Sequence, residues 1–478
     1  MFFPLPFFFL LFAFLQRLLP LLLPLLDSMF PQQSMARCNG RILCICLLPC
    51  VMVGHLLVYI LVSICITMSY SPPSLPIRFI APGVSSNSGE LAAHPMNPFW
   101  NLRLQKGALW NQLQHRLDRQ HNPILRGNRT WSKQASTEGG WAQEGGSQEA
   151  SPPCSPDQSW APLLKDFNNL PEQMRDFILS MHCTEYPILT DQPAVCGGEL
   201  QAAEAPMLLL AIKSETGNFE NRQAIRQTWG RNGWMEGETG GRGGIVRTVF
   251  LLGKQDPSMG LYADLEKLLE IEKSQHRDIL QWDFRDTFYN LTLKDVLFLR
   301  WFSHRCPHAH FVFKGDDDVF LRTRALLDFL HQHKEEIEDA GQNQKKAIKD
   351  FLMGEVIANA VPNRQSSTKY YIPESFYKGA YPPYAGGGGV VYSGALALRL
   401  GEVSKRVHLF PIDDVYLGMC LHRLGVSPTH HPGFLTFDLP GTDKESPCSY
   451  HSVILVHRRS PKEMLRLWSM LQTPPPAC

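Results

Sequence analysis

Runs of apolar residues alternate with stretches of helical periodicity through the second half of the chain. The runs at 207–212, 248–253 and 311–313 contain no charged residue, as is typical of strands buried on both faces. The alternation predicts an α/β domain with a mostly parallel sheet, in which ligands bind at the carboxyl ends of the strands. The predicted elements are strands at 207–212, 248–253, 278–282 and 311–313, and helices at 220–229, 262–273 and 291–303.

A longer apolar segment lies near the start of the chain. Residues 42–68 contain no Asp, Glu, Lys or Arg, and a helix rising about 1.5 Å per residue over this length crosses a hydrocarbon core of about 30 Å. Arg37 and Arg41 precede the segment, and the next Lys or Arg after it is Arg78. Basic residues on the N-terminal side favour a cytosolic N-terminus. We therefore predict an uncleaved type II membrane anchor, with the rest of the chain lumenal.

The residues ahead of this anchor form an apolar N-terminal extension. Residues 1–26 are rich in Phe and Leu but contain four prolines, which disfavour a continuous helix. If translation starts at Met29 or Met35 rather than Met1, residues 1–34 are an extension that the protein does not always carry. The alternatives are a second membrane segment and a cleaved signal, and the sequence leaves the start codon open.

The composition changes again after the anchor. Residues 69–160 are rich in Pro, Gly, Ser, Gln and Asn and would bury little apolar surface, so we predict a flexible stem ahead of a folded domain at 161–478. Sequons at Asn128 and Asn290 suit a lumenal, glycosylated chain. Seven cysteines follow the anchor, so disulfides are expected, and at least one thiol is free or pairs between chains because seven is odd.

Three consecutive carboxylates, Asp316, Asp317 and Asp318, follow the apolar run at 311–313 after Lys314 and Gly315, and we assign Asp316 and Asp317 to binding of the donor. Like charges repel, and each costs free energy to desolvate, so this arrangement favours a bound divalent cation. Hard cations such as Mg²⁺ or Mn²⁺ prefer oxygen ligands. The pattern therefore indicates a metal that binds a phosphate-bearing substrate, although a solvated loop, a helix N-cap or a Ca²⁺ site would also explain it.

Three basic residues are candidates for the phosphate groups of such a substrate. Arg222 and Arg226 are four residues apart and share a helix face, and Lys213 follows a buried strand. Arginine suits phosphate geometry, so the three side chains could bind a diphosphate. Ordinary surface charges remain the alternative.

A glycine-rich loop follows the segment Tyr381–Tyr384. Four glycines at 386–389 would let the backbone approach a ligand closely, and we assign Gly387 and Gly388 to the donor site. The two tyrosines offer flat faces for sugar rings. A loose linker is the alternative, but the apolar run at 390–392 favours an ordered strand just beyond the loop.

The C-terminal part contributes two further candidates. Asp413 and Asp414 form an acidic pair in an apolar setting, where one carboxylate could serve as a general base or cap a helix. His457 ends the apolar run at 453–456 and could complete a metal-ligand set with the carboxylates of Asp316 and Asp318. A structural histidine is the alternative.

Taken together, these segments resemble the β-1,3-glycosyltransferases of glycosyltransferase family 31. The loop AGGGG and the segment HPGFLTF at 431–437 are most similar to the β-1,3-N-acetylglucosaminyltransferases that extend poly-N-acetyllactosamine, because the galactosyltransferase branch more typically has Cys-Ser-Gly after the YPPY segment. The matching segments are RQAIRQTWG (222–230), VFLLG (249–253), DFRDTFYNLTLK (283–294), FKGDDD (313–318), YPPYAGGGG (381–389) and DDVYLG (413–418).

The resemblance implies an inverting GT-A fold that uses UDP-GlcNAc and Mn²⁺ or Mg²⁺. Asp316 and Asp318 would bind the nucleotide and metal, with Asp318 favoured as the direct ligand and His457 matching the C-terminal metal-ligand histidine. Asp414 matches the catalytic base, with Asp413 as the alternative. In-line displacement needs only one base opposite the leaving diphosphate, so the residue set is sufficient for the chemistry.

The expected activity is β-1,3 transfer of N-acetylglucosamine to a terminal β-galactose of a glycan acceptor in the Golgi lumen. The alternatives are a β-1,3-galactosyltransferase that uses UDP-galactose and a catalytically silent lumenal scaffold of the same fold. The net charge of +1 gives no argument for a nucleic-acid partner. The sequence leaves open the acceptor class and whether the protein forms homo- or hetero-oligomers.

Overall fold

The computed structural model describes residues 107–121, 154–197, 205–238, 240, 242–255, 262–338, 349–439 and 446–472. The expected extension at 1–34, the expected anchor at 42–68 and the sequon at Asn128 lie outside these residues. Within the described ranges, no helix is both long enough and apolar enough to cross a membrane.

Fourteen strands and ten α-helices make up the described domain. The strands are β1 Ile188–Thr190, β2 Leu208–Lys213, β3 Gly233–Met235, β4 Gly244–Lys254, β5 Ile279–Arg285, β6 Phe311–Asp316, β7 Phe320–Leu321, β8 Leu352–Gly354, β9 Val356–Ile357, β10 Tyr384–Ala385, β11 Gly389–Ser393, β12 Thr429–His430, β13 Phe434–Leu435 and β14 Leu455–Val456. The helices are α1 Leu109–His121, α2 Glu172–Ser180, α3 Phe219–Gln227, α4 Tyr262–His276, α5 Leu291–Arg305, α6 Thr323–Glu338, α7 Gly394–Ser404, α8 Asp413–Leu424, α9 Pro447–His451 and α10 Pro461–Leu471.

The central sheet is mixed rather than mostly parallel. Its strands run in the order β1, β5, β4, β2, β6, β11, β8 and β12, with β3 beside β4. Strands β5, β4, β2 and β6 are parallel, whereas β11 is antiparallel to both β6 and β8. The prediction of a mostly parallel sheet therefore holds for these four strands and for the edge pair β8 and β12, but not for the whole sheet. An apolar run indicates burial on both faces but carries no information about strand direction.

Both faces of the sheet are covered, as the apolar runs predict. The whole of β2 is buried, with Leu209 and Ala211 on one side of the sheet and Leu208, Leu210 and Ile212 on the other. The two sides belong to separate hydrophobic clusters, since successive strand residues point to opposite faces. The predicted α/β domain is confirmed in this respect.

The folded domain begins earlier in the chain than expected. Helix α1 lies inside the predicted stem, and Leu109, Trp110 and Leu113 are buried in the same cluster as the sheet core. These three residues share one helix face, a local pattern that the polar composition of residues 69–160 conceals. The stem prediction is therefore wrong for residues 109–121.

The cysteines fit an oxidising compartment. Disulfides join Cys154 to Cys183 and Cys196 to Cys306, and Cys448 is also disulfide-bonded. Cys420 is a free, buried thiol. The expectation that at least one thiol is free or pairs between chains is confirmed by Cys420.

Candidate active site

The Asp triplet lies where three strands of the sheet meet. Asp316 ends β6 and stands in register with Lys213 at the end of β2, because the two strands are parallel. Antiparallel β11 enters from the other side, and its first residue, Gly389, pairs with Gly315. The carboxyl ends of the central strands therefore face the glycine-rich loop, which is the usual ligand position in α/β sheets.

Asp316, Asp318 and His457 form a cluster that fits a divalent cation. One potential ligand atom from each lies within 4.8 Å of the others, and His457 Nε2 is 3.2 Å from Asp318 Oδ1 and 3.9 Å from Asp316 Oδ2. His457 follows β14 and its Nδ1 lies 2.9 Å from the carbonyl oxygen of Thr436. An Nδ1–H donated to that carbonyl turns Nε2 toward the carboxylates, as metal-binding histidines commonly do.

Electrostatics hold this cluster in its charged forms. Burial opposes the imidazolium of His457, but the hydrogen bond and charge of Asp318, helped by Asp316, outweigh it and raise the pKa of His457. Burial likewise opposes ionisation of Asp318, and its hydrogen bond with His457 outweighs this and lowers the pKa of Asp318. A divalent cation would replace the Nε2 proton of His457, because only neutral imidazole binds a metal, and two carboxylate oxygens with that nitrogen are a donor set that Mn²⁺ accepts.

The side chain of Asp317 does not belong to this cluster. It is buried, and its Oδ2 accepts hydrogen bonds from Ser214 Oγ at 2.6 Å and Asn218 Nδ2 at 3.0 Å. The Asn221 side chain donates to its carbonyl oxygen at 3.1 Å. Burial raises the pKa of Asp317 to about 6. The assignment of Asp317 as a donor-binding residue is therefore wrong for its carboxylate, which anchors the turn between its two neighbours.

Lys213 is an internal ion-pair partner, which the sequence did not indicate. Its ammonium lies 2.9 Å from Asp316 Oδ1 and 2.5 Å from Asp413 Oδ2, and its side chain is buried. Lys213 is therefore ion-paired with two carboxylates and is not available to a diphosphate, contrary to the prediction.

The same chain of charges continues into the core. Lys314 Nζ is 3.5 Å from Asp413 Oδ2 and 2.6 Å from Asp295 Oδ2, and both side chains of the latter pair are buried. Opposite charges thus alternate from Asp295 to Asp316. The sequence analysis did not identify Lys314 or Asp295 as parts of the site. The one feature that could have indicated them is the position of Lys314 inside the apolar strand β6.

Asp413 and Asp414, adjacent at the start of α8, have opposite electrostatic environments. Burial opposes ionisation of Asp413, but the charges of Lys213 and Lys314 outweigh it and hold its pKa well below the usual range. Burial and then the charge of Asp413 raise the pKa of Asp414 to about 8. Of this pair, Asp414 is therefore the carboxyl group whose protonation changes near neutral pH.

The glycine-rich loop lies between Asp414 and His457. A Cβ atom on Gly387 would stand 2.8 Å from Asp414 Oδ2, and one on Gly388 would stand 3.2 Å from His457 Cβ. The loop therefore contacts the acidic pair and the cation cluster at once, which agrees with placing Gly387 and Gly388 at the site. Tyr381 is buried, so its ring is a core residue rather than a sugar platform.

Arg222 and Arg226 are structural residues, and the prediction that they bind phosphate is wrong for this arrangement. Arg222 is fully buried and donates to both oxygens of Glu272 at 2.9 and 2.6 Å, and also to Ser214 Oγ at 3.0 Å. Arg226 donates to both oxygens of Asp278 at 2.7 and 2.8 Å and to Glu272 at 2.6 Å. These ion pairs fasten α3 to α4 and the start of β5.

Asn290 stands directly before α5. Its side-chain amide donates to the carbonyl oxygen of Arg285 at 2.8 Å and is partly accessible, while the sequon residue Thr292 is buried and donates to Phe410 O at 2.5 Å. Glycosylation at Asn290 and at Asn128 stays a prediction.

The chain has many relatives among known proteins. A sequence profile of the family described as Galactosyltransferase matches residues 220–432. N-acetyllactosaminide beta-1,3-N-acetylglucosaminyltransferase 2 of Mus musculus is 47% identical over 384 residues, covering 80% of this chain and 89% of the relative. The Homo sapiens protein of the same name is 46% identical over 379 residues, covering 79% of this chain and 88% of the relative. A third relative, acetylgalactosaminyl-O-glycosyl-glycoprotein beta-1,3-N-acetylglucosaminyltransferase of Homo sapiens, is 41% identical over 333 residues, covering 68% and 81%.

Proposed function

The chain belongs to the galactosyltransferase family, glycosyltransferase family 31, and from this premise we propose that it transfers N-acetylglucosamine from UDP-GlcNAc, with inversion, to the 3-hydroxyl of a terminal β-galactose. The observation that carries the proposal is the identity of 47% over 384 residues with a protein named for this activity. A cluster that fits a cation, beside the acidic pair Asp413 and Asp414, supports it, because these are the two parts that such a transfer needs.

Asp316, Asp318 and His457 would hold a divalent cation, Mn²⁺ or Mg²⁺. When bound, such a cation would supply positive charge beside the diphosphate leaving group. Other residues of the chain hold these three side chains in place without a bound ligand. His457 is oriented by Thr436, and the turn that carries Asp316 and Asp318 is anchored through the buried carboxylate of Asp317.

Asp414 acts as the general base that removes the proton from the acceptor hydroxyl. A pKa near 8 makes its carboxylate a stronger proton acceptor than an ordinary aspartate, and catalytic bases work best with a pKa close to the operating pH. Asp413 cannot take this role as easily, because Lys213 and Lys314 stabilise its ionised form. Asp413 instead keeps negative charge next to Asp414 and so maintains the high pKa.

The membrane location is part of the proposal. The apolar segment at 42–68 anchors the chain as a type II protein of the Golgi membrane, with the catalytic domain in the lumen. The disulfides of the domain support a lumenal, oxidising compartment.

A panel of donors and acceptors tests the function. The full chain is purified in detergent and assayed with UDP-GlcNAc and UDP-galactose on N-acetyllactosamine, core O-glycan and glycolipid acceptors, with Mn²⁺ or with EDTA. We expect transfer from UDP-GlcNAc to β-galactose and none in EDTA. Preference for UDP-galactose would favour the galactosyltransferase alternative, and no transfer from either donor would favour a silent scaffold. Several acceptors are assayed because the names of the relatives specify different acceptors.

A further inference from the structure

Helix α1 binds the backbone segment that leads into α8. Trp110 Nε1 donates to the carbonyl oxygen of Leu409 at 3.0 Å, and Gln114 Nε2 donates to that of Arg406 at 2.9 Å. In return, the backbone N–H of His408 donates to Gln114 Oε1 at 2.9 Å. Both α1 side chains are fully buried, so water does not compete for these bonds.

The same helix contacts both ends of α8. At the N-terminal side, the Trp110 ring packs edge-on against Phe410 with centroids 5.7 Å apart, three residues before the acidic pair. At the C-terminal side, Arg423 Nη2 lies 2.5 and 2.7 Å from the two oxygens of Asp118. Helix α1 therefore constrains the helix whose first turn carries Asp414.

A second segment held by α1 leads to the glycine-rich loop. The backbone N–H groups of Leu109 and Trp110 donate to the carbonyls of Ser375 and Phe376 at 2.8 and 2.9 Å. The Asn111 side chain both donates to Lys378 O at 2.8 Å and accepts from its N–H at 3.2 Å. Aromatic contacts continue this segment toward the loop, through Trp110, Tyr377, Tyr381 and Tyr384.

We propose that α1, which precedes the predicted catalytic domain in sequence, is a positioning element of the transfer site, with Gln114 and Trp110 as its positioning residues. By fixing the segments at 375–378 and 406–410, it sets the position of the Asp414 carboxylate relative to the glycine-rich loop. The inference rests on the proposed function for the identity of the reaction, while the contacts themselves are independent of it.

The test compares two variants of the full chain with a matched control on the same helix. Gln114→Ala removes both hydrogen bonds to the 406–408 segment, and Trp110→Phe removes the bond to Leu409 while keeping an aromatic ring. Gln112→Ala is the control, because Gln112 is exposed. We expect kcat for GlcNAc transfer to fall roughly tenfold in each variant and further in the double variant, since buried partners lose their hydrogen bonds. The KM for UDP-GlcNAc should stay within about twofold, and the control should match the unaltered chain.

Hydrogen exchange supplies a readout apart from activity. The amides of residues 406–410 and 412 should exchange faster in Gln114→Ala than in Gln112→Ala, at equal unfolding temperature of the domain. An unchanged kcat, or a kcat that falls only in proportion to the folded fraction, would overturn the proposal. If the unaltered chain transfers no GlcNAc, the proposed function fails, and equal exchange of residues 406–410 and 412 in the two variants would separately overturn the positioning role.

Discussion

The Nζ atom of Lys213 lies 2.5 Å from Oδ2 of Asp413, and this buried ion pair separates the roles of two adjacent carboxyl groups. Asp413 is stabilised as an anion, whereas Asp414, one residue later, has a pKa raised to about 8 by burial and by the charge of Asp413. Lys213 also contacts Asp316, so a single ammonium links the acidic pair to the cation cluster.

Loss of the Asp318 carboxylate should abolish transfer without unfolding the protein. Asp318→Ala removes one of two carboxylates from the cation cluster, and we expect kcat/KM to fall by at least about 100-fold at a fixed Mn²⁺ concentration. The unfolding temperature should change little because the side chain is partly exposed. Turnover that matches the unaltered chain would exclude a metal role for Asp318.

Asp414 should be needed for transfer but not for donor binding. Asp414→Asn keeps the shape of the side chain and removes its basicity, so we expect kcat to fall by about 10²–10⁴ while the affinity for UDP-GlcNAc is retained. Single-turnover kinetics and a donor-binding titration measure the two quantities. Transfer that persists in this variant would remove Asp414 as the base.

Asp413→Asn is the matched comparison and should act mainly on stability. It leaves Lys213 and Lys314 buried with less negative charge around them, and breaking a buried pair typically costs about 3–5 kcal/mol. We therefore expect a lower unfolding temperature than in Asp414→Asn. If Asp414→Asn is instead the less stable of the two, the assignment of Asp413 as the structural carboxylate is wrong.

The pH dependence of transfer follows from the same pair. Because the pKa of Asp414 is raised to about 8, its carboxyl group is mostly protonated below that pH and cannot accept the acceptor proton. We expect kcat/KM to rise with pH through about 8 and then level off. Asp413→Asn removes a neighbouring negative charge that raises this pKa, so the rise should move to lower pH. A profile whose midpoint is the same in both proteins would argue against the coupling.

Gly387→Ala should disturb the base rather than the donor. A Cβ atom there would lie 2.8 Å from Asp414 Oδ2, so the carboxylate must shift. We expect kcat to fall roughly tenfold with the KM for UDP-GlcNAc nearly unchanged. Gly217→Ala is the control, since a Cβ at that glycine meets no atom within 4 Å. Equal kcat in the two variants would show that the loop does not position Asp414.

Arg222 should matter for folding and not for diphosphate binding. Arg222→Met breaks a buried ion pair with Glu272, so we expect the free energy of unfolding to fall by about 3–5 kcal/mol. The KM for UDP-GlcNAc, measured on the folded fraction, should change by less than about threefold. Exposed Arg231→Met serves as the control. A large rise in KM without loss of stability would restore the phosphate-binding interpretation.

The order of the motifs was sufficient to predict the family, whereas the chemical roles of the individual residues stay predictions. Apolar runs predicted the buried strands because burial on both faces excludes charged residues, as the buried β2 confirms. The three residues of the cation cluster could be named as candidates because carboxylate oxygens and an imidazole nitrogen are donors that Mn²⁺ accepts. Their convergence, with Asp316 and His457 about 140 residues apart, required the structure.

The tertiary structure alone decided how the charged residues divide their roles. The sequence does not show which carboxylate each lysine or arginine will pair with. Lys213, Arg222 and Arg226 were therefore all predicted to bind phosphate. Burial and pairing turned all three into internal partners of carboxylates. The sequence predicted that one of Asp413 and Asp414 is the general base, and the pairing of Asp413 with buried lysines decided that Asp414 is the one with a raised pKa.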